Sequence, residues 1–142
     1  MAGTVVATTS ARKGKGLVRI DCALTCVAGA ISASPIGSAY GRIVAAIFEP
    51  TAGAGGTMTT TADLSITDAA TGAVVFSTLD FGTARSIRPT QVVTTNAGVA
   101  VTASTSANDV NRDIFVAGKL NLSIATATTT DTGYFGLIIE EA

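Results

Sequence analysis

The chain has no histidine and no tryptophan, and only 5% of its residues are aromatic and 13% charged. Each shortage excludes something. Without histidine there is neither the usual general base at neutral pH nor the commonest protein metal ligand. The carboxylates stand singly along the sequence, and no serine or cysteine sits in a nucleophile-elbow context. Enzymatic activity is not expected, and no catalytic, cofactor or metal residues are assigned. The few aromatics give no obvious stacking platform for sugar or single-stranded nucleic acid. A net charge of −1 supplies no field that would steer the chain to nucleic acid or to an anionic membrane. No apolar run reaches the roughly 18 residues of a membrane-spanning helix.

Cysteine is also scarce. Cys22 and Cys26 form a C-x3-C pair, but on a strand such positions lie about 13 Å apart, while a disulfide needs Cα atoms within roughly 7 Å. Two small buried thiols are expected. The stretch from Arg12 to Ala30 is basic and then apolar, like an export signal. Arg19 and Asp21 interrupt its apolar part, so cytoplasmic synthesis without export is expected.

What is present is small and apolar. Hydrophobic residues make up 47% of the 142-residue chain, with alanine and valine dominant. Small side chains bury little area each, at about 25 cal/mol per Å². The core of one copy should therefore be thin, which favours burial between subunits. A charged fraction of 13% is well under the roughly 25% of ordinary soluble domains, and suits a protein held in an assembly.

Residues 1–16 are polar and Thr- and Gly-containing, and end in Arg12-Lys13-Gly14-Lys15-Gly16. They read as a flexible arm ahead of a single β domain over residues 17–142. Leu17 to Val27 alternates cleanly, with Val18, Ile20, Cys22, Leu24 and Cys26 on one face. Ala28 to Ser38, around Pro35, reads as a bend or irregular edge. Tyr40 to Phe48 is a strand, nearly all apolar after Arg42, that should be buried on both faces, and Thr51 to Thr61 a low-complexity loop with little to pack. Asp63–Asp68 and Ala73–Leu79 form a hairpin about the turn Asp68-Ala69-Ala70-Thr71-Gly72.

Weaker strands follow at Gln91–Thr95 and Gly98–Ala103, then Asp113–Ala117. Lys119 to Glu141 reads as a closing hairpin turning through Thr128–Gly133, with Phe135, Leu137 and Ile139 on one face. Both faces of that last strand hold apolar residues, so it should be central or else packed against another chain. No 3.6-residue apolar stripe persists. The expected class is all-β: an antiparallel β-sandwich or barrel of about seven to nine short strands with a flexible N-terminal arm. Asp109-x-Asn111-x-Asp113 has the oxygen spacing that opens a calcium loop, but Ile114 replaces the required glycine, so a polar turn is expected there.

Gly41-Arg42-Ile43-Val44 running to Pro50, Asp63-Leu64-Ser65-Ile66-Thr67-Asp68 with Gly72-Ala73-Val74-Val75, and Val116-Ala117-Gly118-Lys119-Leu120-Asn121-Leu122 before Thr132-Gly133 resemble small structural proteins of tailed bacteriophages. Head decoration (cement) proteins are among those they are similar to. The resemblance covers roughly residues 40 to 140 and rests on strand-and-turn patterns. It implies a non-enzymatic homo-oligomer, a trimer by preference, on the capsid exterior of the virion, tying neighbouring major capsid subunits together. No direct nucleic-acid or membrane contact is expected. Arg12, Lys13 and Lys15 are the expected partner-binding residues, meeting acidic side chains. A phage tail or fibre component and a carbohydrate-binding β-sandwich are the alternatives.

Overall fold

The computed structural model of the chain describes residues 3–12, 16–49, 56–58, 62–78, 85–87, 90–92, 111–127 and 131–141. Among the described residues lie eleven strands and no helix. They are β1 Thr4–Arg12, β2 Leu17–Thr25, β3 Ile31–Glu49, β4 Gly56–Thr57, β5 Asp63–Asp68, β6 Val74–Thr78, β7 Arg85–Ile87, β8 Thr90–Val92, β9 Asn111–Asp113, β10 Phe115–Ala125 and β11 Asp131–Glu141. The main sheet runs β1-β2-β11-β3-β10-β5-β6, with β4 beside β11 and β7 beside β3, while β8 and β9 form a separate pair. All the neighbours along the main path are antiparallel, and the sheet curls as a half-barrel. The protein is all-β, as its periodicity predicts.

The curl comes from β3, which serves two layers. Its first part, Ile31 to Arg42, pairs with β10, and Gly41 to Glu49 pairs with β11. Gly37 lies against Thr9 and Ile20, so the first half of β3 packs across β1 and β2 while the second half extends their sheet beyond β11. Gly41 sits where the halves meet. A Cβ there would collide with the Glu140 carbonyl oxygen, so only glycine lets the two backbones approach. Register shifts between Leu120 and Asn121 and between Ile138 and Ile139 add the local bends that a strand needs to change layers.

Period-2 alternation fills the space between the layers. Val18, Ile20, Cys22 and Leu24 of β2 are buried, with Arg19 and Ala23 exposed between them. Phe135, Leu137 and Ile139 of β11 are fully buried beside Ile43, Ala46 and Phe48 of β3. The rings of Phe135 and Phe48 meet at 5.3 Å and 56°, a favoured tilted arrangement. Leu64, Ile66, Leu120, Leu122 and Ile124 close the other layer. Both cysteines are free and buried, as the strand spacing requires. The β5–β6 hairpin is also as expected. Its turn is held by Asp68, whose carboxylate accepts from the Thr71 amide at 3.1 Å and hydroxyl at 2.6 Å, while Gly72 takes φ 75°.

Four expectations are corrected. The arm over residues 1–16 is not an arm at 4–12: β1 pairs with β2 without a break from Thr4↔Thr25 to Arg12↔Leu17. Its β-branched residues favour an extended backbone, and β2 offers it a free edge. The final segment is not a hairpin, because β3 lies between β10 and β11. Gly133 accordingly pairs with Leu24 inside β11 instead of turning the chain. The Ala28–Ser38 bend gives way at Ile31 to the start of β3, with Pro35 tolerated beside the register shift that leaves Ile36 without a partner. Within the low-complexity stretch, Met58 is buried with its sulfur 3.9 Å from that of Cys26. The expected strand over Gly98–Ala103 lies outside the described residues.

Candidate partner-binding face

The outward side chains of β2, β11, β3 and β10 are brought into rows by the pairing registers. One row reads Leu17, Glu140, Arg42, Phe115 across these four strands, and the backbone of Arg12 on β1 pairs with Leu17 at its end. Next to it, Tyr40 stands opposite Ala117, one step diagonally from Phe115. Phe115 is 71% exposed, Tyr40 61% and Leu17 39%, unusual values for side chains of this size. Among them lies Arg42, whose guanidinium donates to Asp113 and to Glu140, each at 3.0 Å. Those two bonds raise the Arg42 pKa. They set one cation between two carboxylates, so the cluster keeps a single negative charge beside the exposed apolar side chains.

A second cluster lies farther along the same face. Tyr134 on β11 donates its hydroxyl hydrogen to Asp21 on β2, and Arg19 donates to Asp21 and to the Tyr134 oxygen, both at 2.7 Å. Burial works to raise the Asp21 carboxyl, but the hydrogen bonds from Tyr134 and Arg19 outweigh it and hold the group below its ordinary range. Burial, aided by the bond to Asp21, raises the Tyr134 phenol. At neutral pH the set is therefore a carboxylate held by a protonated phenol and a cation, a closed network that ties β2 to β11. The Tyr134 ring also lies over Gly136, where a Cβ would meet its oxygen at 2.5 Å. The aromatic supplies the cover that the glycine lacks.

Of the expected contact residues, Arg12 ends β1 with its backbone paired to Leu17, at the end of that row. Lys13 and Lys15 lie outside the described residues. Asp113, the last oxygen of the candidate calcium spacing, is engaged by Arg42, and Asp109 lies outside the described residues. Among the described residues no group of three or more Cys, Asp or Glu side chains could hold a metal ion, and no helix is long and apolar enough to cross a membrane.

Sequence reasoning missed Tyr40 and Phe115 as surface residues. Ile114-Phe115-Val116 is a continuous apolar run, and nothing within it says that the middle side chain faces out. The parity with Arg42, two residues beyond Tyr40, was the available signal for Tyr40.

The fold defines an all-β protein with an antiparallel curled sheet whose outer face exposes Leu17, Tyr40 and Phe115. No family model, curated protein or solved structure matches the chain.

Proposed function

We propose that the chain is a non-enzymatic virion structural protein, a capsid decoration protein that bridges neighbouring major capsid subunits. The observation that carries this reading is the exposed Leu17, Tyr40 and Phe115 around the Arg42 ion pairs. Large apolar side chains on a stiff sheet form a preorganised adhesive surface, because little side-chain freedom is lost when they are covered. The cations Arg12, Lys13 and Lys15 add contacts to acidic side chains of the partner. Copies made in the bacterial cytoplasm associate with one another and dock on the outside of the capsid.

Undecorated capsids of the parent virus test this by electron microscopy. The parent protein should add ordered density where capsomers meet. The Tyr40→Ser/Phe115→Ser variant should keep its β circular dichroism and add none, and Arg12→Glu/Lys13→Glu/Lys15→Glu should bind more weakly and with less salt dependence. Absence of capsid binding by the parent protein, or density on the tail alone, would overturn the assignment. The same exposed aromatics favour one second reading, a carbohydrate-binding sheet face, since ring faces also stack on sugars. Binding to a glycan array that is lost with Tyr40→Ser, without capsid binding, would replace the first reading by the second.

A further inference from the structure

We propose that β1 is a self-association edge, through which two copies pair β1 to β1 antiparallel about a twofold axis at Thr8. Residues 6–10 are exposed whichever face they point to, and β1 pairs on one side only among the described residues, with β2. An unpaired strand edge presents a row of amide and carbonyl groups that another strand can take up. Sheets guard such edges by shortness, charge, proline or bulges. The edge strand β6 is five residues long with a register shift opposite it, and β7 has three residues. β1 has none of these guards. It keeps nine residues in unbroken register, and Thr4 to Ala11 contains no charge and no proline.

The occupant is a second copy because the strand matches itself. Antiparallel pairing about Thr8 sets Val6 against the second copy's Ser10, Ala7 against its Thr9, and Thr8 against its Thr8. Arg12, the only charge on the strand, meets the second copy's Thr4, so no like charges face each other across the seam. Small and β-branched side chains on both faces let the strands approach, and a central threonine pair is a favourable cross-strand contact. All nine residues are used, and the pair of sheets becomes one continuous sheet with the closed, isologous symmetry of most homo-oligomers. The pairing stands whether or not the chain binds capsids.

Analytical ultracentrifugation of the parent chain should give a concentration-dependent dimer. Val6→Glu/Ser10→Glu places two glutamates opposite each other at two symmetric points and should weaken the dimer by about tenfold or more. Val6→Lys/Ser10→Glu makes the same points attractive and should restore the parent affinity or exceed it. Register is read separately by oxidation. Thr8→Cys should cross-link to a covalent dimer, since opposed residues lie about 5 Å apart. Val6→Cys should not, being about 13 Å from its symmetry mate. A monomeric parent chain at all concentrations, equal masses for the two charge variants, or cross-linking by Val6→Cys but not Thr8→Cys would overturn the proposal.

Discussion

Replacing Gly41 by alanine tests whether the bend of β3 depends on one close backbone approach. Gly41 has φ 157°, and a Cβ built on it would strike the Glu140 carbonyl oxygen, with the Glu141 Cα at 2.8 Å. These are backbone atoms, so no rotamer change relieves the contact. Gly118 provides the control, because its φ is also positive, at 133°, yet a Cβ there meets nothing within 4 Å. Alanine at either site carries the conformational strain of a region that favours glycine, about 1–3 kcal/mol. Only Gly41→Ala adds a collision, comparable to overpacking a core at about 1–3 kcal/mol more.

Gly118→Ala should therefore lose about 1–3 kcal/mol and Gly41→Ala about 2–6, a large share of the roughly 5–15 kcal/mol that domains possess. Urea unfolding followed by far-ultraviolet circular dichroism measures both, and equal slopes with different midpoints make them comparable. The expected structural consequence is a separation of β3 from β11 at Gly41↔Glu141, seen as faster amide exchange for Glu140, while the Glu141 amide, which donates to the Gly16 carbonyl at 2.7 Å on the other side of β11, should keep its protection. Equal losses in the two variants would refute the argument that the approach of β3 to β11 requires glycine.

Phe135→Ala removes a fully buried ring that packs on Phe48, and should cost about 3–5 kcal/mol in the same urea experiment; a loss below about 1 kcal/mol would mean that the core is not closed there. Tyr134→Phe keeps the ring over Gly136 and deletes the hydroxyl that helps to hold Asp21. Because the folded Asp21 carboxyl lies below its ordinary 3.8, it stabilises the fold above pH 3.8, and this contribution is lost as the pH falls through the lower folded value. The variant should move the Asp21 titration upward in carbon-detected NMR and flatten the acid limb of stability, with an unmoved titration counting against the network. Burial first, and then the charge of Asp21, push the Cys22 thiol up to about 12; burial and Asp131 push Cys26 up to about 11. Both contributions to stability are complete below the ordinary 9.0 and drain away as the pH rises toward those values. At pH 8 a thiol reagent should label neither cysteine faster than the chain unfolds, and rapid labelling of the native protein would contradict the burial.

Local patterns carried much of this fold in advance. The alternation from Val18 to Leu24 and from Phe135 to Ile139 needs only the two-residue period of a strand. The Asp68–Gly72 turn needs only an aspartate that caps it and a glycine free to take positive φ. These signals lie within a few residues of one another and survive whatever the rest of the chain does. The partner face was less legible. Arg12 was named for its charge alone, Tyr40 was assigned to a strand buried on both faces, and Phe115 was given a strand position without a face, since outward direction depends on which neighbours pair with β3 and β10.

Composition and periodicity were enough for an all-β chain, a buried last strand and two thiols that cannot bridge each other; the thin small-residue core they also suggested does not form, because isoleucine, leucine and phenylalanine side chains fill the space between the layers. Long-range pairing was needed to make residues 4–12 an edge strand, to set β3 between β10 and β11, and to bring Gly41 and the Arg42 pairs to the place where the two layers meet. Distance along the chain explains the difference. Strand partners such as Arg42 and Glu140 are 98 residues apart, and their register is fixed by which surfaces can be buried together, which no short window of residues contains.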